Sequence, residues 1–235
     1  MEPWNTKEAS LFWKNELGSY GKSDYVNSVL DLIIAQKPQV IFELSIGNGY
    51  SFVDNLIKEG IKVHGCDISE FFINELHESH PSVVSYQAGY DDFVKSEQRN
   101  FFDVVYCVRS SWYFSDIYLA IDNMVEITKP GGKIIIDIMN ADSSVAKSSL
   151  RACKIKRIKQ RCKNIIKYIL NTILKQKYVY ETVFNNDKAV KPSNIEKYLN
   201  KKNLSYEKFC FEQMTTKENL FVDDSMRYLY IITKL

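Results

Sequence analysis

The chain has 235 residues, 45% hydrophobic and 13% aromatic, which suits one domain of doubly wound size. With 31 Lys and Arg against 29 Asp and Glu the formal charge is only +2, so overall charge selects neither an acidic nor a basic partner. Five scattered cysteines (Cys66, Cys107, Cys153, Cys162, Cys210) and three histidines show no zinc-ligand spacing; they read as reduced thiols, and no metal site is expected.

Charge is distributed unevenly. From Lys147 to Lys177 there are 11 basic residues, with no acid between Asp142 and Glu181. The other 20 basic residues face all 29 acidic ones, so a basic segment is set into an acidic body. The opening Met-Glu-Pro-Trp-Asn lacks the pattern of a signal peptide, and no apolar run reaches the ~20 residues that span a bilayer. A cytoplasmic location is expected, with peripheral contact at the inner membrane surface through residues 147–177 as the variant.

In chain order, residues 1–37 predict a helical leader whose Trp4 and Trp13 either form a lid or pack on the body. Strands and helices then alternate. Gln39–Leu44, Ile61–Ile68, Ser82–Gln87, Phe102–Val108 and Lys133–Met139 read as strands. Between them lie helices at Phe52–Glu59, Ser69–Ser79 with Ser69 as N-cap, Asp91–Glu97 and Ile117–Ile127. Such alternation implies a parallel sheet covered on both faces. Ser144–Leu174 follows as one long helix: Ile155, Ile158, Cys162, Ile165, Ile166, Ile169 and Ile173 make a stripe, with Lys154, Arg157, Lys159, Arg161, Lys163 and Lys167 largely off it. A strand over Tyr178–Phe184, a helix over Asn194–Lys202 and an antiparallel pair (Tyr206–Glu212, Arg227–Thr233) close the chain.

The organising stretch is Val40 to Phe52. An apolar strand ends at Glu43-Leu44, Gly47 and Gly49 stand one apart, and Ser51 and Asp54 open a helix: a nucleotide-binding corner. Phe52 occupies the third-glycine position of Gly-x-Gly-x-x-Gly, which opposes a dinucleotide. Asp67, at the end of strand two, can accept both hydroxyls of a ribose or cap the next helix.

Together these residues resemble class I S-adenosylmethionine-dependent methyltransferases. Glu43-Leu44-Ser45-Ile46-Gly47-Asn48-Gly49 is similar to the first motif, with Ser45 in place of its first glycine. Val63 to Ser69, Gln87 to Phe93, Phe102 to Cys107 and Thr128 to Lys133 resemble the later motifs, in order, over residues 38–140. The resemblance implies a Rossmann-like α/β fold: a doubly wound, mostly parallel seven-stranded sheet with a C-terminal antiparallel pair. It divides a single domain (1–235) into a lid (1–37), a cofactor-binding core (38–141), a basic helical cap inserted after strand five (142–184), and a closing helix and hairpin (185–235).

For S-adenosylmethionine (product S-adenosylhomocysteine), the resemblance assigns Gly47 and Gly49 to the methionine part, and Glu43 to orienting their turn, which Ser45 crowds, or to meeting the amino group through water. Asp67 takes the ribose, Ile68 the adenine face, Gly89 and Tyr90 the adenine edge, and Cys107 and Val108 the methionine side. Gly89 stands where the family often has an acid, which Tyr90 or Asp91 would replace. Acceptor residues are sought after strand four: Arg109 to hold an anion, Tyr113 as a wall or base. No Asn/Asp-Pro-Pro-Tyr-type motif follows strand four, so no DNA acceptor is expected. The first reading is an enzyme methylating a small-molecule or glycan acceptor at a hydroxyl, in surface-polysaccharide or secondary-metabolite synthesis. An RNA methyltransferase and a non-catalytic adenosyl-binding protein are the alternatives. The basic helix is read as a cap whose stripe packs on the sheet, with membrane or phosphate contact as the other option.

Overall fold

Runs such as Val-Ile-Phe and Ile-Ile-Ile have no polar face to turn to water, so they favour strands covered from both sides. The computed structural model describes residues 24–50, 52–174, 188–210 and 226–235. These form α1 (Asp24–Ala35), β1 (Val40–Leu44), α2 (Val53–Lys58), β2 (Lys62–Asp67), α3 (Glu70–Ser79), β3 (Val84–Gln87), β4 (Phe102–Cys107), α4 (Ile117–Ile127), β5 (Thr128–Met139), α5 (Ser144–Leu174), α6 (Pro192–Lys201), β6 (Ser205–Cys210) and β7 (Arg227–Thr233). Single 3-10 turns lie at Ser96–Gln98 and Ser111–Tyr113.

The strands make one seven-stranded sheet in the order β3-β2-β1-β4-β5-β7-β6. The first five are mutually parallel, and β7 runs antiparallel between β5 and β6. This is the doubly wound, mostly parallel Rossmann-like sheet expected, with its closing antiparallel pair. The chain winds outward from β1 through β2 and β3, then returns to β4 on the other side of β1. The carboxyl ends of β1 and β4 therefore diverge into loops on opposite faces, which opens a crevice for a ligand.

Period-two alternation along β1 assigns its side chains to two cores. Ile41 joins Val29 and Ile33 of α1, Leu56 of α2 and Leu76 of α3 on one face. Phe42 and Leu44 join Ile121 and Met124 of α4 and Ile195 and Leu199 of α6 on the other. Full burial of each such side chain contributes about 1.5–3 kcal/mol. Local signals set the boundaries: Ser69 Oγ accepts the Phe72 amide at 3.4 Å, and Asp116 caps α4 by accepting the Tyr118 and Leu119 amides at 2.9 and 3.1 Å. Gly60 follows α2 at φ +77.

Two expected boundaries change. Asp91–Glu97 is not a helix, because its groups are engaged elsewhere. Phe93 is fully buried and stacks on Phe42 at 5.4 Å, its carbonyl accepts the Tyr86 hydroxyl at 2.6 Å, and Asp92 Oδ1 accepts the Gly89 amide at 2.5 Å. β5 starts at Thr128 rather than Lys133, since the Lys129-Pro130-Gly131-Gly132 segment is tied to the chain end through Gly131 N to Lys234 O (2.7 Å) and Lys234 N to Gly132 O (3.1 Å).

α5 runs its predicted length, but its stripe does not pack on the sheet: Ile158, Ile165 and Ile173 are 61, 59 and 70% exposed. Among the described residues no helix is long and apolar enough to cross a membrane. The helical leader is seen from Asp24 onward. Trp4 and Trp13, the Tyr178–Phe184 strand and the last two residues of Tyr206–Glu212 lie outside the described residues.

Ile121→Ala deletes a fully buried side chain of the α4 face and is expected to lower stability by about 2–5 kcal/mol. Urea unfolding followed by circular dichroism checks it, with the slope unchanged.

Candidate active site

The turn after β1 is built from backbone in an unusual state. Ser45, Gly47 and Gly49 all have positive φ (68, 57 and 76°). The intervening residues do not, and this alternation curls the backbone into a concave turn whose amides are spent inside the protein: Ile46 N–H on Cys66 O, Gly49 N–H on Ile46 O (both 3.0 Å) and Gly47 N–H on Asp67. Ser45 bears a side chain in the left-handed region, at a cost of roughly 1–2 kcal/mol. Gly49 has a further requirement behind it: a Cβ there would sit 2.8 Å from Leu76 Cδ1 and 2.9 Å from Val53 Cγ2. Its bareness serves helix packing, whereas the reading from sequence gave it to ligand approach.

Asp67 closes the concavity from the neighbouring strand. Its Oδ2 accepts the Gly47 amide at 3.0 Å and its Oδ1 the Ser69 amide at 2.9 Å. It thus braces the turn and the entrance to α3 at once. Desolvation pushes this partly exposed carboxyl up to about 6, against the pull of the Ser69, Gly47 and Ile68 amides. Ile68 follows, and Gly89 lies against it: a Cβ at Gly89 would be 3.5 Å from Ile68 Cγ2 and 2.8 Å from Asp91 Oδ1.

Beneath the turn, Glu43 is buried and accepts the Tyr106 hydroxyl at 2.6 Å across the β1–β4 boundary. Burial pushes its carboxyl up to about 8, opposed by the Tyr106 hydrogen bond and aided by the Asp67 charge, so at neutral pH it holds its proton. Glu43 therefore supports the turn from inside the sheet.

On the other flank, Asp137 at the end of β5 is completely buried. Its Oδ1 accepts the Arg109 amide at 2.8 Å and its Oδ2 the Tyr25 hydroxyl at 2.9 Å, with Arg227 Nη1 3.6 Å away. Ser111 Oγ donates to its carbonyl. Burial raises its pKa, and Arg227 pulls the other way. Arg227 also lies over the rings of Tyr25 (5.4 Å) and Trp112 (5.0 Å). The cluster holds Arg109, like Ser45 in the left-handed region at φ +66, in the loop that follows the strand neighbouring β1.

The remaining candidates fall around this edge. Cys107 and Val108 are buried at the end of β4, so backbone is what they offer. Tyr113 closes the 3-10 turn with Trp112. Tyr90 stacks on Phe114 at 4.8 Å, bonds through its hydroxyl to Ser115 and gives its carbonyl to Asn123 at 3.0 Å; its ring joins the loops after β3 and β4. His64 is half-buried, edge-on to Phe101 and Phe102, with its pKa lowered by burial and by Lys62; it is a packing residue, as expected.

Residues 42–136 match the family model described as a methyltransferase domain. The chain carries a methyltransferase domain. No curated protein matches it in sequence. Its fold is shared with a TehB-like SAM-dependent methyltransferase from Corynebacterium glutamicum (14% identity, 100% of each chain covered, TM-score 0.63). It is shared too with a possible histamine N-methyltransferase from Thermotoga maritima (13% identity, 99% of this chain and 100% of that one, TM-score 0.61). A third match is magnesium protoporphyrin IX methyltransferase from Synechocystis, solved with bound SAH (13% identity, 92% of this chain and 84% of that one, TM-score 0.58).

A methyltransferase domain of this class takes its methyl group from S-adenosylmethionine, and the residues present fit that cofactor. A carboxylate offers about four acceptor positions. Asp67 accepts the Gly47 and Ser69 amides, the Ile68 amide also pulls on it, and it keeps acceptor capacity for ribose hydroxyls. Reading the sequence missed Tyr106, Tyr25 and Arg227 as supports of this candidate site. Only Arg227 carried a signal, as the one charged residue of the strand Arg227–Thr233.

Glu43→Gln keeps the Tyr106 hydrogen bond and removes the titration. A carboxyl raised in the fold to about 8 favours folding below its ordinary 4.5, and that contribution is lost as pH rises through 8. Wild type should lose ~1 kcal/mol per pH unit relative to the variant across that window, measured by urea unfolding at a series of pH values.

Proposed function

We propose that the methyltransferase methylates a small-molecule or sugar acceptor at a hydroxyl, with S-adenosylmethionine held by Asp67, Ile68, Gly89 and the Ser45–Gly49 turn. The carrying observation is Asp67: partly exposed at the end of β2, braced by two amides and with acceptor capacity to spare. When bound, the cofactor supplies a sulfonium-activated methyl group. The protein's part is then to bring an acceptor atom into line and to exclude water. Ile68 supplies an apolar surface for adenine, Gly89 and Tyr90 its edge. Gly47, Cys107 and Val108 face the methionine part with backbone groups, while protonated Glu43 keeps the turn in shape from below.

Acceptor residues come from the loop after β4. Asp137 fixes the Arg109 backbone, so a guanidinium that pairs with an anionic acceptor starts from a defined anchor. Tyr113 forms a wall. Neither Val108–Phe114 nor Ile136–Ser143 contains a histidine; the proton of a hydroxyl acceptor passes to water, or to Tyr113 where that side chain is ionised. An RNA acceptor is less well supported, because phosphate tracking has no use for the isoleucines exposed along α5.

Titration calorimetry with S-adenosylhomocysteine tests the cofactor reading. Micromolar binding, about −8 kcal/mol, is expected at neutral pH and should vanish in Asp67→Ala. No binding by the folded wild-type protein would overturn it. The ionised Asp67 carboxylate is the form that accepts both hydroxyls, and its carboxyl titrates at about 6. Affinity should therefore fall as pH drops below 6, approaching tenfold per pH unit, whereas Asp67→Asn should bind weakly with a flat pH profile.

A further inference from the structure

α5 is 31 residues long with nine basic and no acidic side chains, and its apolar stripe is left exposed by the described residues. Ile155, Ile158, Ile165, Ile166, Ile169 and Ile173 are 46–70% exposed. At 3.6 residues per turn they fall within about 100° of the circumference. Lys159 and Lys163 border this arc on one side and Arg161 on the other, and all three are exposed. A core helix would bury the stripe; a purely solvated one would not carry six isoleucines on one face.

We propose that α5 docks in the plane of an anionic phospholipid bilayer. The isoleucines enter the boundary between headgroups and acyl chains, and Lys159, Lys163 and Arg161 extend from both borders to lipid phosphates. Charge selects this occupant over a second copy of the chain. Ile155, Cys162 and Ile169, with Ile158 and Ile165, do follow heptad spacing, but a self-pair would bring together two helices of nine basic residues each, with no acid on either to offset them. An anionic surface matches the same positions with opposite charge. RNA would meet the lysines and leave the isoleucines in water. Docking does not depend on the acceptor assigned above; with both in place, the methyltransferase meets its acceptor at a lipid surface.

Co-sedimentation of the full chain tests this, using vesicles of phosphatidylcholine with about 30% phosphatidylserine against phosphatidylcholine alone, in roughly 0.1 M salt. Wild type should sediment with the anionic vesicles at least about tenfold more tightly. Joint Ile158→Ser, Ile165→Ser and Ile169→Ser replacement should abolish binding with charge unchanged. Lys159→Gln with Lys163→Gln should weaken it roughly 25-fold. The replaced side chains are exposed, so circular dichroism and S-adenosylhomocysteine binding should stay at wild-type values.

Failure to sediment with anionic vesicles, or binding that survives the isoleucine replacements, would overturn the proposal. So would a wild-type dimer in light scattering that these replacements disperse, or single-stranded RNA held in preference to vesicles by wild type and isoleucine variant alike. Vesicle binding without S-adenosylhomocysteine binding would sink the cofactor reading and leave the docking standing.

Discussion

Three separate segments of the chain meet at one buried carboxyl. Asp137 sits at the end of β5 with no exposure, and a charge there is costly unless its oxygens are occupied. The Arg109 amide, the Tyr25 hydroxyl and the nearby Arg227 guanidinium supply that occupation from β4, α1 and β7. Each of those segments is fixed by meeting the need of a single side chain. The helix before the sheet, the loop after β4 and the last strand are thereby locked to one point beside the ligand-binding edge.

The strands on either side of the switch point end in the same way. Ser45 after β1 and Arg109 after β4 both adopt left-handed backbone with a side chain attached, and each is held there by its neighbours. Gly47 and Gly49 surround the first; the Asp137 carboxylate accepts the amide of the second. Strain of this kind persists only where the surroundings over-determine it. Here it exposes backbone groups where the two loops part, which is where a parallel sheet binds its ligands.

Charge separates the molecule into two functional surfaces. The body is acidic on balance, and its site carboxyls are buried or braced by amides. α5 concentrates positive charge around an apolar stripe that the body leaves uncovered.

What the sequence determined by itself was whatever local chemistry encodes. The order of strands and helices followed from hydrophobic period, the start of α3 from Ser69, and the glycine turn with the acid at the end of β2 from Gly47, Gly49 and Asp67. Their partners lie close along the chain or on the adjacent strand. It failed locally at Asp91–Glu97, where a helix-compatible stretch gives Phe93 to the core and its backbone carbonyl to Tyr86. Only the tertiary structure decided that Tyr106 meets Glu43 from 63 positions away and Tyr25 meets Asp137 from 112. It also decided which way α5 faces. A stripe of isoleucines reads the same whether it is covered or bare; that depends on whether another surface is within reach, and no periodicity in a single segment records it.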